Sequence, residues 1–116
     1  MRFEESKVGD VLVAKLLDAR IAADVAPRFK AHLAEYVGKG NLYIVLDLTA
    51  VTFIDSSGLG ALVSSLKSMG SDGDLVVAGA HGSVASMFKL TRMDKVFRMY
   101  ATADEAVAAL AMTVLP

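Results

Sequence analysis

Between Asp55 and Gly60 the chain places one carboxylate, two hydroxyls and two glycines in six consecutive residues, within Phe53-Ile54-Asp55-Ser56-Ser57-Gly58-Leu59-Gly60. The stretch lies between an apolar strand-like run and an amphipathic helical pattern, so it falls at a helix N-terminus. Free N–H groups and the helix dipole make such a place favourable for an anion. Gly58 and Gly60 add no bulk there, so another backbone or a nucleotide-bearing partner has room to approach. A plainer reading is also open: Ser56 or Ser57 caps the helix and the glycines permit tight packing. Taken alone, the residues favour the plainer reading.

Catalytic arrangements do not fit this segment. A nucleophile elbow needs glycine two residues before and two after its serine, but Ile54 precedes Ser56 and Asp55 precedes Ser57. A dinucleotide fingerprint needs a glycine three residues beyond Gly60, where Val63 stands, and no Gly-Lys-Ser/Thr of a phosphate loop occurs. His32 and His81 are the two histidines, one on an expected helix and one in an expected loop, without metal-ligand spacing. Cysteine is absent, which removes thiol nucleophiles, thiolate metal sites and disulfides together. The expectation is a protein with no catalytic residue, no metal and no cofactor.

The elements that position the segment are legible from periodicity. Residues 3–8 and 11–17 read as two strands meeting at Gly9-Asp10, a tight-turn pair. Asp24 then reads as a helix N-cap with Pro27 in the first turn, and Val25, Phe29, Leu33 and Val37 draw an apolar stripe that ends near Gly38 and Gly40. Leu42 to Leu46 is a continuous apolar run, the pattern of a strand buried on both faces, and Asp47 closes it. Leu59, Leu62, Val63 and Leu66 give the spacing of a helix packed on a sheet. After the loop 70–74 come a strand at 75–78, a helix at 83–90 with Val84, Met87 and Phe88 inward, and a strand at 96–100. Thr102 or Asp104 caps a last helix carrying Val107 and Leu110. The order ββ-αβ-αβ-αβ-α implies a mainly parallel sheet with crossover helices and an N-terminal hairpin.

With 116 residues the chain is sized for one domain, expected to span 1–116 with its core at about 3–110. Its apolar fraction of 54% argues against disorder. A net charge of −1 supplies no field of either sign for nucleic acid or an anionic membrane. The charged first residues form no signal-peptide core, and no run approaches the roughly 20 apolar residues that span a bilayer. A cytoplasmic protein is expected.

From Leu46 to Leu62, LDLTAVTFIDSSGLGAL, the sequence closely resembles the signature of STAS domains, specifically the bacterial anti-sigma factor antagonists. The resemblance continues through Leu90-Thr91-Arg92-Met93-Asp94-Lys95-Val96-Phe97 and Glu105-Ala106-Val107, and so covers most of the chain. It implies a small mixed sheet of four to five strands with about four helices, mostly on one side. It also implies a partner-switching function. The unphosphorylated form binds an anti-sigma factor serine kinase of the histidine-kinase-like ATPase class and releases the regulator which that kinase holds. Phosphorylation by the kinase ends binding, and a PP2C-type phosphatase restores it.

By the same resemblance the acceptor is the second serine, Ser57, with Asp55 and Ser56 shaping the approach and Gly58, Leu59 and Gly60 beside them in contact with the partner. Arg20 reads as a partner contact or as a solvated charge, and Asp47 as orienting the loop or simply ending the strand. One departure is plain: Ala22 stands where the family often has an aspartate after the second strand. Two other functions compete, a scaffold or sensor subunit of a larger signalling complex and a nucleotide-binding module.

Overall fold

The computed structural model describes residues 1–114; the last two of the expected 1–116 lie outside the described residues. Strands β1 (Phe3–Val8) and β2 (Val11–Leu16) form the expected antiparallel hairpin, with Gly9 at φ +60° in its turn. Strands β4 (Tyr43–Asp47), β6 (Asp74–Ala78) and β7 (Met99–Tyr100) then join in parallel, giving the order β1-β2-β4-β6-β7. The sequence pattern does not show two further strands, β3 (Arg20–Ile21) and β5 (Phe53–Ile54), which pair in parallel as a separate two-stranded ribbon.

The helices are α1 (Ala26–Gly38), α2 (Ser56–Ser68), α3 (Gly82–Leu90) and α4 (Ala103–Val114). The alternation of side chains along the strands decides where they pack. Leu12, Ile44, Leu46, Leu75 and Val77 point to one face and are buried with Phe29 and Leu33 of α1, Leu59 and Leu62 of α2, and Val84 and Phe88 of α3. Val11, Val45, Val76 and Ala78 point the other way, against Ala106 and Leu110 of α4. Three helices therefore cover one face and one covers the other. Side chains such as Leu62, fully shielded from water, each stabilise this arrangement by roughly 1.5–3 kcal/mol. No described helix is long and apolar enough to cross a membrane.

Two local expectations need correction. Asp24 does not cap α1. The cap position is Val25, without a side-chain bond, because the Val25 and Ala26 N–H groups both donate to the Ala22 carbonyl and close the turn in main chain. The strand expected over 96–100 shrinks to Met99–Tyr100. Ahead of it Met93–Lys95 forms a 3₁₀ turn, entered through Arg92 in the left-handed region at φ +61°, and the chain that follows drops Phe97 into the core against Phe88. At α4 the choice between Thr102 and Asp104 falls to Thr102, whose Oγ1 accepts the Glu105 N–H at 3.2 Å.

Candidate functional site

Asp55 organises the start of α2. Its backbone is extended, and its Oδ1 accepts the Gly58 N–H at 2.9 Å, so the helix cap is Asp55 and neither Ser56 nor Ser57. Its Oδ2 reaches across to the Ala23 N–H at 3.1 Å, tying α2 to the turn that precedes α1. The Gly58 N–H first, then those of Ala23 and Ser57 and the charge of Arg20, hold the Asp55 carboxyl below the usual carboxylate range against a smaller opposing effect of desolvation. The site thus carries a fixed negative charge at neutral pH.

With the cap supplied by Asp55, both serines are left free. Ser56 and Ser57 are exposed, and neither hydroxyl bonds another group among the described residues. Ser57 sits on the second residue of α2 and faces a groove between α1 and α2 of about 580 Å³. Ala26, Pro27 and Lys30 form one wall, and Ser57, Gly60 and Ser64 form the other. Lys30 follows Ala26 by four residues and Pro27 by three, and Ser57, Gly60 and Ser64 are spaced by three and four, which brings each set to the groove side of its helix. Among the described residues Lys30 is the groove's one cation, and sequence reasoning missed it because a lysine on the polar side of α1 reads as solvated.

The glycines divide. Gly60 is exposed, and a Cβ there would meet nothing within 4 Å. Gly58 is buried, and a Cβ would lie 2.4 Å from the Ile21 carbonyl oxygen and 2.9 Å from Ile54 Cγ1. Gly58 is therefore glycine so that α2 can start against the β3–β5 ribbon. Leu59, expected beside it as a partner contact, points into the core and is 4% exposed. Arg20 lies over the Phe53 ring, 5.4 Å from its centroid, besides acting on Asp55.

The loop before the site is held from two sides. Thr52 and Phe53 donate their N–H groups to the Ala19 carbonyl at 2.8 and 3.2 Å. Asp47, 9% exposed, accepts the Thr49 N–H at 2.9 Å and also its hydroxyl, so Asp47 orients the loop as well as ending β4. Gly79, at φ +73°, leaves the space for that pair, since a Cβ there would meet Thr49 Oγ1 at 2.3 Å. From the start of α3, His81 Nε2 contacts the Thr49 carbonyl at 2.9 Å and the Ser83 hydroxyl donates to the Thr52 carbonyl at 2.7 Å. Ser83 and Gly79 were not anticipated; both act across more than 25 residues of sequence. His32 packs on Phe3 with ring centroids 5.1 Å apart.

The STAS domain family profile matches residues 7–106. The anti-sigma-B factor antagonist of Listeria monocytogenes is 31% identical over 91 residues, covering 78% of this chain and 76% of that protein. An anti-sigma factor antagonist from Mycobacterium paratuberculosis superposes with a TM-score of 0.85 at 26% identity, covering 93% of this chain and 92% of that one. The Bacillus cell fate determinant SpoIIAA, in its phosphorylated form, shares the fold with a TM-score of 0.69 at 18% identity, covering 94% of this chain and 99% of that one. This chain belongs to the STAS domain family.

Proposed function

We propose that the protein is a single-domain cytoplasmic anti-sigma factor antagonist that works as a charge switch at Ser57 and catalyses no reaction itself. With Ser57 bare, the start of α2 and the α1–α2 groove dock on an anti-sigma factor serine kinase and displace the regulator it holds. The kinase then transfers the γ-phosphoryl group of ATP to Ser57 Oγ; the hydroxyl proton leaves, ADP departs, and the complex separates. A PP2C-type phosphatase hydrolyses the phosphoserine and resets the switch. The observation that carries this reading is the free, exposed Ser57 hydroxyl at the groove's edge, on a helix start already capped by Asp55.

That arrangement explains why a phosphate acts at the surface and leaves the fold intact. It adds about −1.5 to −2 charges at an exposed helix terminus, where the dipole tolerates them. The ionised Asp55 two residues away repels the added phosphate, so the modified helix start presents two like charges to the partner. A loss of about 3 kcal/mol at that interface weakens binding more than a hundredfold. The SpoIIAA fold relative is known in both phosphorylated and unphosphorylated forms, which is consistent with a fold that survives the modification.

The test is to incubate the purified protein with anti-sigma serine kinases from the same cell and ATP, then map the product by mass spectrometry. One phosphate on Ser57 is expected, with none on Ser57→Ala. Phosphate on Ser56 or elsewhere refutes the assignment.

A further inference from the structure

A second concavity lies apart from the α1–α2 groove, between α3 and the stretch that leads into and through β7. It measures about 610 Å³, within the range of roughly 300–1,000 Å³ typical of small-ligand pockets. It is walled by α3 on one side and by the segment 94–101 on the other. The left-handed turn at Arg92 and the following 3₁₀ turn lead from α3 into that segment, and Phe97 is buried in the core. Phe88 and Phe97, edge to face with centroids 6.0 Å apart, and Met99 give the cleft an apolar floor.

Its rim is cationic. Among the described residues, Lys89, Lys95 and Arg98 line it against a single carboxylate, Asp94. Arg98 is engaged by Asp74, but neither Lys89 nor Lys95 forms an ion pair among the described residues. Two unpaired ammonium groups beside an aromatic floor complement a molecule with a flat apolar body and an acidic group. We infer that this cleft is a binding site for a small anionic aromatic or apolar acid, separate from the Ser57 surface. The same helix that walls the cleft through Ala85, Phe88 and Lys89 holds the loop before Ser57 through His81 and Ser83 at its other end.

The probe is 8-anilinonaphthalene-1-sulfonate, titrated by fluorescence into the intact chain, alongside the neutral N-phenyl-1-naphthylamine. Saturable one-to-one binding of the sulfonate is expected, about tenfold tighter than the neutral probe, the worth of one charge-assisted contact. The double variant Lys89→Glu/Lys95→Glu should erase that preference while leaving the neutral probe's affinity unchanged. Ala85→Phe should fill the cleft and abolish binding of both. Ala101→Phe, at an exposed lining position, serves the same end should Ala85→Phe not fold. No saturable binding, equal affinity for the two probes, or unchanged binding in the cleft-filling variants overturns the inference.

Discussion

Substituting alanine at Gly58 and at Gly60 changes the same residue type two positions apart on one helix, and the structure requires opposite outcomes. In both cases the helix gains about 0.8–1 kcal/mol of intrinsic propensity. At Gly60 nothing offsets that gain, because the new Cβ meets no atom within 4 Å. At Gly58 the Cβ would stand 2.4 Å from the Ile21 carbonyl oxygen, 2.9 Å from Ile21 Cγ2 and 2.9 Å from Ile54 Cγ1. That carbonyl is main chain and accepts the Asp55 N–H at 3.2 Å, so relief means moving the β3–β5 ribbon or the cap itself. Overpacking of this kind costs about 1–3 kcal/mol, leaving Gly58→Ala less stable by up to about 2 kcal/mol after the propensity gain. Thermal unfolding followed by circular dichroism reads the difference, at about 3–6 °C per kcal/mol for a chain of this length. Gly58→Ala should melt below the parent and Gly60→Ala at or above it. A Gly58→Ala protein as stable as the parent, or two variants shifted in the same direction, would refute the close approach of α2 to the ribbon.

Other perturbations probe the cap and the loop. The Asp55 carboxyl titrates below its ordinary value, so its stabilising contribution is complete above the unfolded pKa of about 4 and is lost as pH falls through the lower folded value. Asp55→Asn should therefore be less stable than the parent near pH 6, with the gap closing toward pH 3; a gap independent of pH contradicts an ionised cap. Ser83→Ala and His81→Ala each remove one contact to a carbonyl of the loop before Ser57. Global stability should fall by about 1 kcal/mol or less, while amide exchange at Val51 and Thr52 accelerates well beyond that of the sheet. Uniform acceleration across the molecule would show that α3 does not hold this loop specifically. Lys30→Glu should leave the melting temperature within about 2 °C of the parent, as exposed substitutions do, yet weaken kinase binding in calorimetry. Unchanged binding removes the groove from the interface.

The sheet and the four main helices were readable because each carries its own periodicity. The run Leu42 to Leu46 signals a strand covered on both faces, and Leu59, Leu62, Val63 and Leu66 signal a helix with one apolar side. The details that make the site were harder to read, since they depend on partners far along the chain. Asp24 looks like a cap, yet Ala22 closes that turn through its carbonyl, and the Ala23 N–H is taken by Asp55, 32 residues away. Asp55, Ser56 and Ser57 are all good capping residues, and only the extended backbone at Asp55 decides among them. Strands β3 and β5 are two residues each, too short for any alternation to register, yet their pairing explains Gly58. Lys30 gains significance only when α1 lies beside α2. The prominence of Ser57 as the acceptor came from resemblance, and the geometry adds that its hydroxyl is free and faces a groove.

In the proposed switch, one phosphate on Ser57 decides whether the partner stays bound. The direct measurement is the affinity of the anti-sigma serine kinase for the bare protein and for protein phosphorylated stoichiometrically on Ser57, by isothermal calorimetry in the same buffer. A dissociation constant at least a hundredfold weaker for the phosphorylated form is predicted, with unchanged circular dichroism in both forms. Equal affinities would contradict the switch, and so would a loss of affinity accompanied by loss of the folded signal.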